Sequence, residues 1–321
     1  MIVVVGIGAD GWRGLGEDAR AAILGADEVI GSSRQLDLLP GDAPPRRAWP
    51  SPLDPLLDEL AERENGRVCV LASGDPMLHG IGATLARRVG PERIEVLASP
   101  SAFSLACARL GWPAADVELV SAVARPAEVL ARVLQPRRQA IVYVTGAEGA
   151  AAVARVVCER GYGPSRFVVL EQLGGADERM SESTAEEWGA RRADPLHLVA
   201  IECAAAPGTP VHPLVPGLPD LAFESDGALT KRHVRAATLA ALAPTPRALL
   251  WDVGAGSGSV AIEWLRAETS ARAIAIERRE DRAERIGRNA ATLGVPSLEV
   301  VIGGAPGVLD GLEAPDAVFI G

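Results

Sequence analysis

The sequence predicts an α/β protein with mostly parallel sheets, and two features of the chain support this. Short apolar segments alternate with alanine-rich segments of helical length along most of its 321 residues, the pattern that βαβ units produce. Glycine-rich turns follow several apolar segments, as expected where strands pass into ligand-binding loops. With 48% hydrophobic residues the chain can bury large cores, and its length favours two domains or more.

Most of the predicted elements lie in the N-terminal region. From runs of aliphatic residues, we predict strands at 2–5, 68–72, 94–97, 117–120, 140–144, 167–170 and 197–202. We predict helices near 18–24, 81–89, 102–110, 127–134 and 150–159. The break at Gly111, Trp112 and Pro113 divides this region into two predicted lobes.

Prolines mark the predicted domain boundary. Pro207, Pro210, Pro213, Pro216 and Pro219 recur at every third position. Because a polyproline II helix has three residues per turn, this spacing predicts a semi-rigid spacer with the rings on one face. We therefore predict an N-terminal domain at residues 1–206, a linker at 207–222 and a C-terminal domain at 223–321.

Composition and charge argue against several classes of function. The formal net charge is −10 and the arginines are scattered among acids, so no nucleic-acid partner is expected. Met1 leads directly into a strand-like segment without an apolar span or cleavage signal, which predicts no membrane partner and a cytoplasmic location. The four cysteines, Cys69, Cys107, Cys158 and Cys203, lie far apart, so we expect reduced core thiols and no metal site.

The most informative motif runs from Leu249 to Gly258. An apolar strand leads into Gly254, Gly256 and Gly258, and a second predicted strand ends in Glu277. Glycines allow a ligand to approach the backbone, and an acid about 20 residues further on can bind ribose hydroxyls. The Gly-x-Gly-x-Gly spacing favours S-adenosylmethionine over NAD, because a ligand without a pyrophosphate needs no open helix N-terminus. A tight structural turn is the alternative.

The N-terminal region has two further glycine motifs. Gly6, Gly8 and Gly11 match a dinucleotide-binding pattern, but Gly14 and Gly16 stand where its helix would have to begin, so we reject that interpretation. The segment 73–80 reads Ser-Gly-Asp-Pro-Met-Leu-His-Gly directly after a predicted strand. Such a turn lets an aspartate accept hydrogen bonds from nearby amides and lets a ligand approach the glycine.

Together, these segments resemble two methyltransferase families. The N-terminal half resembles the tetrapyrrole methylases in its segments 6–8, 26–27, 73–76, 99–102 and 170–174. The C-terminal half is similar to the decarboxylating methyltransferases of corrin synthesis in its segments 226–235, 251–258, 261–264, 275–278 and 303–306. The resemblance implies a two-lobed tetrapyrrole methylase domain followed by a Rossmann-like class I methyltransferase domain.

The resemblance also implies two binding sites for S-adenosylmethionine. The first would use Gly6, Gly8, Gly74, Asp75, Leu78, Ser101 and Ala102. The second would use Thr230, Gly254, Ala255, Gly256, Ser257, Gly258, Glu277 and Ala305, with Glu277 on the ribose. Substrate-binding candidates are His79, Lys231, Arg232 and Arg235, the arginines pairing with substrate carboxylates.

Several of these residues have simpler alternatives. Thr230 could instead cap the helix that follows it. His79 and His233 are more often ordinary surface or hydrogen-bonded histidines than catalytic ones. Arg232 and Arg235 could equally be solvated surface residues. No catalytic residue is predicted.

The implied function is methylation of a tetrapyrrole, a precorrin, at carbons 5 and 15, with decarboxylation of a ring acetate, in cobalamin biosynthesis. The alternatives are a ribosomal RNA methyltransferase of the same fold and a non-catalytic fragment that binds the methyl donor. The last predicted strand, 317–320, would be the fourth of an expected seven, so the C-terminal domain is expected to be incomplete. An unpaired apolar edge strand favours self-association, and we expect a homo-oligomer.

Overall fold

The computed structural model describes residues 1–321, which contain three β-sheets and ten α-helices. The strands are β1 (Ile2–Ile7), β2 (Glu28–Gly31), β3 (Arg46–Ala48), β4 (Val68–Ser73), β5 (Ile94–Leu97), β6 (Val117–Ser121), β7 (Gln139–Tyr143), β8 (Arg166–Glu171), β9 (Arg179–Thr184), β10 (His197–Glu202), β11 (Leu249–Val253), β12 (Arg272–Glu277), β13 (Glu299–Ile302) and β14 (Ala317–Ile320).

Helices of two kinds connect these strands. The α-helices are α1 (Glu17–Leu24), α2 (Ser33–Asp37), α3 (Asp54–Glu62), α4 (Ile81–Val89), α5 (Ala102–Leu110), α6 (Gly149–Glu159), α7 (Ala185–Trp188), α8 (Arg232–Leu242), α9 (Ser259–Ala267) and α10 (Glu280–Thr292). Short 3₁₀ helices span Gly11–Gly14, Pro91–Arg93, Ala114–Asp116, Ala127–Arg132 and Asp220–Ala222.

The first sheet has the strand order β3-β2-β4-β1-β5, and its four strand pairs are all parallel. Val4 of β1, an inner strand, lies opposite Val70 and Val96. Both faces of the sheet are covered, since Val4 and Val5 belong to separate buried clusters. Burial on both faces explains the continuous apolar runs in the sequence. Strands β1 and β4 end together, with Ile7 opposite Ser73.

The second sheet has the order β6-β7-β10-β8-β9 and begins after the break at residues 111–113. The break thus lies between the last strand of the first sheet and the first strand of the second. Strands β8 and β10 are almost fully buried, as their runs of aliphatic residues require.

The third sheet has the order β13-β12-β11-β14 and is parallel throughout. Strand β11 is central, with Val253 opposite both Ile276 and Ile320. A large apolar cluster around Trp264 covers one face, and a smaller cluster around Leu249 covers the other. This arrangement places the ends of β11 and β12, and the loops after them, at one edge of the sheet.

The predicted fold class is confirmed, with differences in detail. All seven predicted strands form, and their ends lie within two residues of the predicted ones. The predicted helix at 127–134 is instead a 3₁₀ helix, Ala127–Arg132, with Pro126 as its N-cap residue. Helix α3 escaped prediction. It buries Leu56, Leu57 and Leu60, and its Pro55 lies in the first turn, where proline is tolerated.

The proline-rich segment is not a free spacer. Thr209 Oγ1 donates to the carbonyl of Gly161 at 3.0 Å. The buried Arg266 donates through Nη2 to the carbonyl of His212 at 2.9 Å, and Leu218 is only 1% exposed. Side-chain and backbone contacts therefore anchor the predicted semi-rigid spacer at several points, and its role as a linker stays a prediction.

Grouped by their contacts, the residues form two compact units. One consists of 1–119, 168–181 and 193–200, and the other of 120–167, 182–192 and 201–321. The domain boundaries predicted from sequence thus remain a prediction.

Three of the four cysteines lie in the core, as predicted. Cys69, Cys107 and Cys203 are buried and all four thiols are free, but Cys158 on α6 is exposed. Its position on the outer side of an otherwise well-buried helix was not visible from its apolar neighbours. None of the helices combines the length and the hydropathy that a membrane-spanning segment requires.

We expect Gly6→Ala to destabilise the protein strongly. A Cβ atom at Gly6 would lie 2.0 Å from the carbonyl oxygen of Gly74 and 2.7 Å from the nitrogen of Ser99. Both neighbours are backbone atoms that cannot rotate away, so the strand ends would have to separate, at about 1–3 kcal/mol or more. Thermal denaturation measures the effect. Gly16→Ala is the control, because nothing lies within 4 Å of that position. Equal melting temperatures for the two variants would contradict this account of Gly6.

Candidate functional site

An open cleft of about 610 Å³ lies at the edge of the third sheet where β11 and β12 end. Among the residues predicted to bind a donor, it brings together Thr230, Gly254, Ala255, Gly256, Glu277 and Ala305. These come from four separate segments of the chain. Their convergence follows from the parallel sheet, whose loops after the strands share one edge.

The turn after β11 has three glycines with positive φ angles, at Gly254, Gly256 and Gly258. A Cβ atom on Gly256 would lie 3.2 Å from the carbonyl oxygen of Ala228, on the opposite wall of the cleft. A Cβ atom on Gly258 would lie 2.8 Å from Ile286 of α10. Gly256 therefore keeps the cleft open, whereas Gly258 allows two helices to pack.

Ser257 and Gly258 lie outside the lining of the cleft, so their predicted contact with the donor stays a prediction. Ser257 is 1% exposed, and its carbonyl accepts a hydrogen bond from Asn289 Nδ2 at 2.9 Å. The turn directs these two residues toward α10. Their role in the structure is to fix the shape of the turn.

Glu277 ends β12 and is 3% exposed. Its Oε2 accepts from the backbone N–H of Gly256 at 2.9 Å, and its Oε1 accepts from the N–H of Arg279 at 3.0 Å. The carboxylate thus holds the glycine turn in place. Each carboxylate oxygen has a second lone pair, so Glu277 can also accept from a hydroxyl in the cleft.

Asp252 is a cleft residue that the sequence analysis did not select. It is 1% exposed, its Oδ2 accepts from the N–H of Ala261 at 3.1 Å, and its Oδ1 has no partner. Burial raises the pKa of Asp252 to about 7; the hydrogen bond from Ala261 counteracts this in part, and the negative charge of Glu277 adds to it. The sequence could have indicated this residue, because Asp252 lies directly before Val253 and Gly254 at the start of the glycine turn.

Other cleft-lining side chains were also missed. They include Leu229, Arg278, Arg282 and Phe319. Arg282 donates through Nε to Asp226 Oδ2 at 2.9 Å. This guanidinium holds the pKa of Asp226 well below its usual range, and Asp226 in turn accepts from the N–H of Ala228 at 3.2 Å. The pair attaches the wall formed by residues 228–230 to α10.

Thr230 lies in the cleft wall and does not cap α8. The N-cap residue is Lys231, whose side chain makes no capping bond. Instead, Asp220 Oδ1 accepts from the N–H of Arg232 at 2.9 Å. The capping alternative for Thr230 is therefore not supported.

Arg235 is not available to a substrate, and this prediction is corrected. Its side chain is fully buried, with Nε 2.6 Å from Glu263 Oε1. Its guanidinium also donates to the carbonyls of Leu218 and Thr230. Arg235 is therefore a structural residue that positions Thr230. Its removal would leave the buried Glu263 carboxylate without its charged partner. The sequence of α8 alone did not reveal that Arg235 faces the interior.

The remaining substrate candidates of this half are exposed and lie outside the cleft lining. Lys231 Nζ is 3.9 Å from Asp220 Oδ2. Arg232 Nε donates to the carbonyl of Gly217 at 2.8 Å. His233 is exposed on the first turn of α8.

The N-terminal candidate residues gather where β1, β4 and β5 end. Gly74 donates its N–H to the carbonyl of Ile7 at 3.1 Å. Ser99 donates its N–H to the carbonyl of Gly74 at 3.4 Å and its Oγ to the carbonyl of Gly6 at 2.7 Å. Three loops are therefore joined by direct backbone contacts, which only glycine at 6 and 74 permits.

The loop after β4 is held by its own hydrogen bonds. Asp75 Oδ1 accepts from the N–H of Met77 at 2.8 Å, and the Asp75 carbonyl accepts from the N–H of Leu78 at 3.2 Å. His79 is exposed and has a φ of 54°. A Cβ atom on Gly80 would lie 2.5 Å from the carbonyl oxygen of Pro76. The motif thus encodes one compact turn.

The other N-terminal candidates also have structural roles. Ser101 is 5% exposed and caps α5, its Oγ accepting from the N–H of Ser104 at 3.0 Å; Ala102 is the first residue of that helix. Gly8 accepts the N–H of Gly11 at 3.2 Å. The α-helix that follows begins only at Glu17, which agrees with the rejection of a dinucleotide-binding motif.

Comparisons with known proteins identify the family. Residues 1–189 match the family model of tetrapyrrole (corrin/porphyrin) methylases, and residues 221–321 match a precorrin methyltransferase domain. A protein from Sinorhizobium sp, named precorrin-6Y C(5,15)-methyltransferase [decarboxylating], is 45% identical over 324 residues, which are 100% of this chain and 78% of that protein. The chain belongs to this methyltransferase family. The resemblance inferred from the sequence motifs is confirmed.

Two further comparisons concern part of the chain and the fold. A protein from Salmonella typhimurium, named cobalt-precorrin-7 C(5)-methyltransferase, is 31% identical over 180 residues, or 56% of this chain and 89% of that protein. A crystal structure of the methyltransferase CobJ has a TM-score of 0.50 and 18% identity, and the match covers 63% of this chain and 94% of that one. The latter supports the tetrapyrrole methylase fold.

We expect Asp252→Asn to remove a pH dependence of stability. The raised pKa means that the folded state favours protonated Asp252 relative to the unfolded state. That contribution is complete at low pH and is lost as the pH rises from about 4 through about 7, by on the order of 2–4 kcal/mol. Asparagine resembles the protonated form, so the variant should gain stability relative to the wild type across this window.

Urea denaturation at pH 5 to 8.5 without any ligand measures this difference. Asp310→Asn, which removes an exposed carboxylate of the same half, serves as the control. Parallel curves for Asp252→Asn and the wild type would show that Asp252 is ionised at little cost in the folded protein.

Proposed function

We propose that this chain transfers methyl groups from S-adenosylmethionine to carbons 5 and 15 of a precorrin and decarboxylates a ring acetate. The observation that carries the proposal is the cleft of the third sheet. A glycine turn, the acidic residue at the end of β12 and the buried Asp252, which has one unpaired carboxylate oxygen, meet there. Similarity over the whole chain to a protein of that name supports it.

The cleft fits a nucleoside-containing donor. Its volume of about 610 Å³ lies within the range of small-molecule sites. Glu277 offers lone pairs to ribose hydroxyls, and Asp252 Oδ1 offers an unpaired acceptor to an ammonium group. S-Adenosylmethionine, when bound, supplies an electrophilic methyl group on a sulfonium sulfur.

We assign carbon 5 to the N-terminal half. The relative named as a C(5)-methyltransferase matches 180 residues, more than residues 223–321 contain. The N-terminal glycines and the loop after β4 would form its donor site. The relative that matches the whole chain is named for methylation at carbons 5 and 15 and for decarboxylation. We therefore assign methylation at carbon 15 and decarboxylation to the C-terminal half.

The protein's contribution to the methyl transfers is positioning. A reduced tetrapyrrole has electron-rich meso carbons, so alignment of that carbon with the donor methyl supplies most of the rate enhancement. In the decarboxylation, the bond between the acetate methylene and its carboxyl carbon breaks, carbon dioxide leaves and the electron pair enters the conjugated macrocycle. A proton then converts the methylene to a methyl group. Exposed Lys231 and Arg232, next to Thr230, would pair with other carboxylates of the substrate.

We expect Glu277→Gln to weaken donor binding at the C-terminal site roughly 10- to 100-fold, because a charge-assisted hydrogen bond to ribose is lost. Isothermal titration with S-adenosylhomocysteine measures it. Since Glu277 also holds Gly256, the titration is repeated with a 2′-deoxyribose analogue of that ligand. If Glu277 binds the ribose, the dissociation constants of the variant and the wild type differ much less for the analogue than for S-adenosylhomocysteine. An equal loss for both ligands would leave Glu277 only its role in holding the turn.

We expect Asp75→Ala to abolish methylation at carbon 5 and to spare the reactions of the C-terminal half. The substitution removes the acceptor for Met77 N–H, which shapes the loop after β4. Mass spectrometry of the products of the full chain separates the methyl groups from the loss of carbon dioxide. Asp37→Ala, at the exposed end of α2, is the control. Simultaneous loss of both methylations would contradict the assignment of one reaction to each half.

A further inference from the structure

Arg34 on α2 is a half-buried arginine without a charged partner. Its Nη2 donates to Ser73 Oγ at 3.0 Å, a neutral hydroxyl. Burial lowers the pKa of Arg34, and no neighbouring carboxylate opposes this effect. A guanidinium has five N–H donors, and this contact uses one of them.

Other arginines around the first sheet have more hydrogen-bond partners. Arg47 forms a bidentate pair with Glu59 at 2.8 Å. Arg63 pairs with Glu28 at 3.1 Å. Arg20 and Arg93 each donate to two backbone carbonyls. Arg34 therefore carries a partly desolvated charge that this part of the protein does not compensate.

The position of Arg34 relates it to the N-terminal candidate site. Ser73 is the last residue of β4 and directly precedes Gly74 and Asp75. Gln35 Nε2 donates to the same Ser73 Oγ at 3.1 Å, while Gln35 Oε1 accepts from the N–H of Ser32 at 2.8 Å. This buried glutamine fixes the hydroxyl and the start of α2. The guanidinium is thus held at the rim of the loop after β4.

We propose that Arg34 binds a carboxylate of a ligand of the N-terminal site. The proposal rests on the proposed function, in which both ligands carry carboxylates: the tetrapyrrole on its ring side chains and the methyl donor on its amino-acid part. A carboxylate can accept two parallel hydrogen bonds from a guanidinium and offset the cost of its partial burial. The exposed setting of Ser73 favours the larger ligand, the tetrapyrrole.

Equilibrium binding to the full chain distinguishes the two sources. Tetrapyrrole binding is followed by absorbance, and donor binding by titration with S-adenosylhomocysteine in the Glu277→Gln background, where the N-terminal site dominates. If the tetrapyrrole is the source, Arg34→Met raises its dissociation constant roughly 10- to 100-fold and changes that of the donor less than twofold. The reverse result identifies the donor. Arg34→Lys recovers only part of the affinity, because an ammonium group cannot form the bidentate contact.

Arg47→Met is the control, since it removes an arginine of the same unit that already has a carboxylate partner. A purely structural role for Arg34 predicts a lower melting temperature for Arg34→Met and unchanged dissociation constants, and that result would overturn the proposal. The proposal would also be overturned if Arg34→Met and Arg47→Met had dissociation constants within twofold of each other for both ligands. A wild type that binds both ligands but transfers no methyl group would contradict the proposed function and leave the result for Arg34 standing.

Discussion

Close approach of the backbone at the ends of parallel strands is the constraint on which both candidate sites depend. At the first sheet, Gly6 and Gly74 let the loops after β1 and β4 touch, and a side chain at Gly6 would overlap a carbonyl oxygen at 2.0 Å. At the third sheet, the turn after β11 folds back so that Gly256 donates to the carboxylate that ends β12. In each case, neighbouring loops form one surface because glycine leaves the space.

Buried carboxylates and arginines then give each half its particular shape. Glu263 receives the N–H groups of Gly217 and Leu218 at 2.5 and 3.0 Å, and its partner Arg235 holds the carbonyl of Thr230. The segment 217–230 is thus attached to α9, which begins at the glycine turn. Since a buried pair tolerates little displacement, it favours one position for the cleft wall. Asp252, in contrast, keeps an unpaired oxygen, and an unsatisfied buried acceptor is a natural contact for a ligand.

Tertiary contacts hold the proline-rich segment in place. Its three-residue spacing is compatible with an extended helix, and Thr209, His212 and Leu218 anchor it to the surfaces beside it. The second compact unit accordingly includes residues 120–167 together with 201–321. Arg160 and Arg132 contribute to this by donating to the backbone carbonyls of Thr292 and Arg266 at 2.9 and 3.0 Å.

The sequence by itself determined the α/β class, most of the strands, the glycine motifs and the family. These are properties of short segments, since aliphatic runs, turn residues and motif spacing act over a few neighbouring positions. It did not determine which charged residues face a ligand. Arg235 and Arg232 look alike in the sequence, yet one is fully buried against Glu263 and the other is exposed.

Asp252 and Arg34 became visible only in three dimensions. The first owes its raised pKa to burial and to Glu277, 25 positions away in the numbering but adjacent in the sheet. The charge of Arg34 is uncompensated because tertiary folding places no carboxylate beside this half-buried guanidinium. Burial and pairing arise from contacts between distant segments, so the tertiary structure alone decided them.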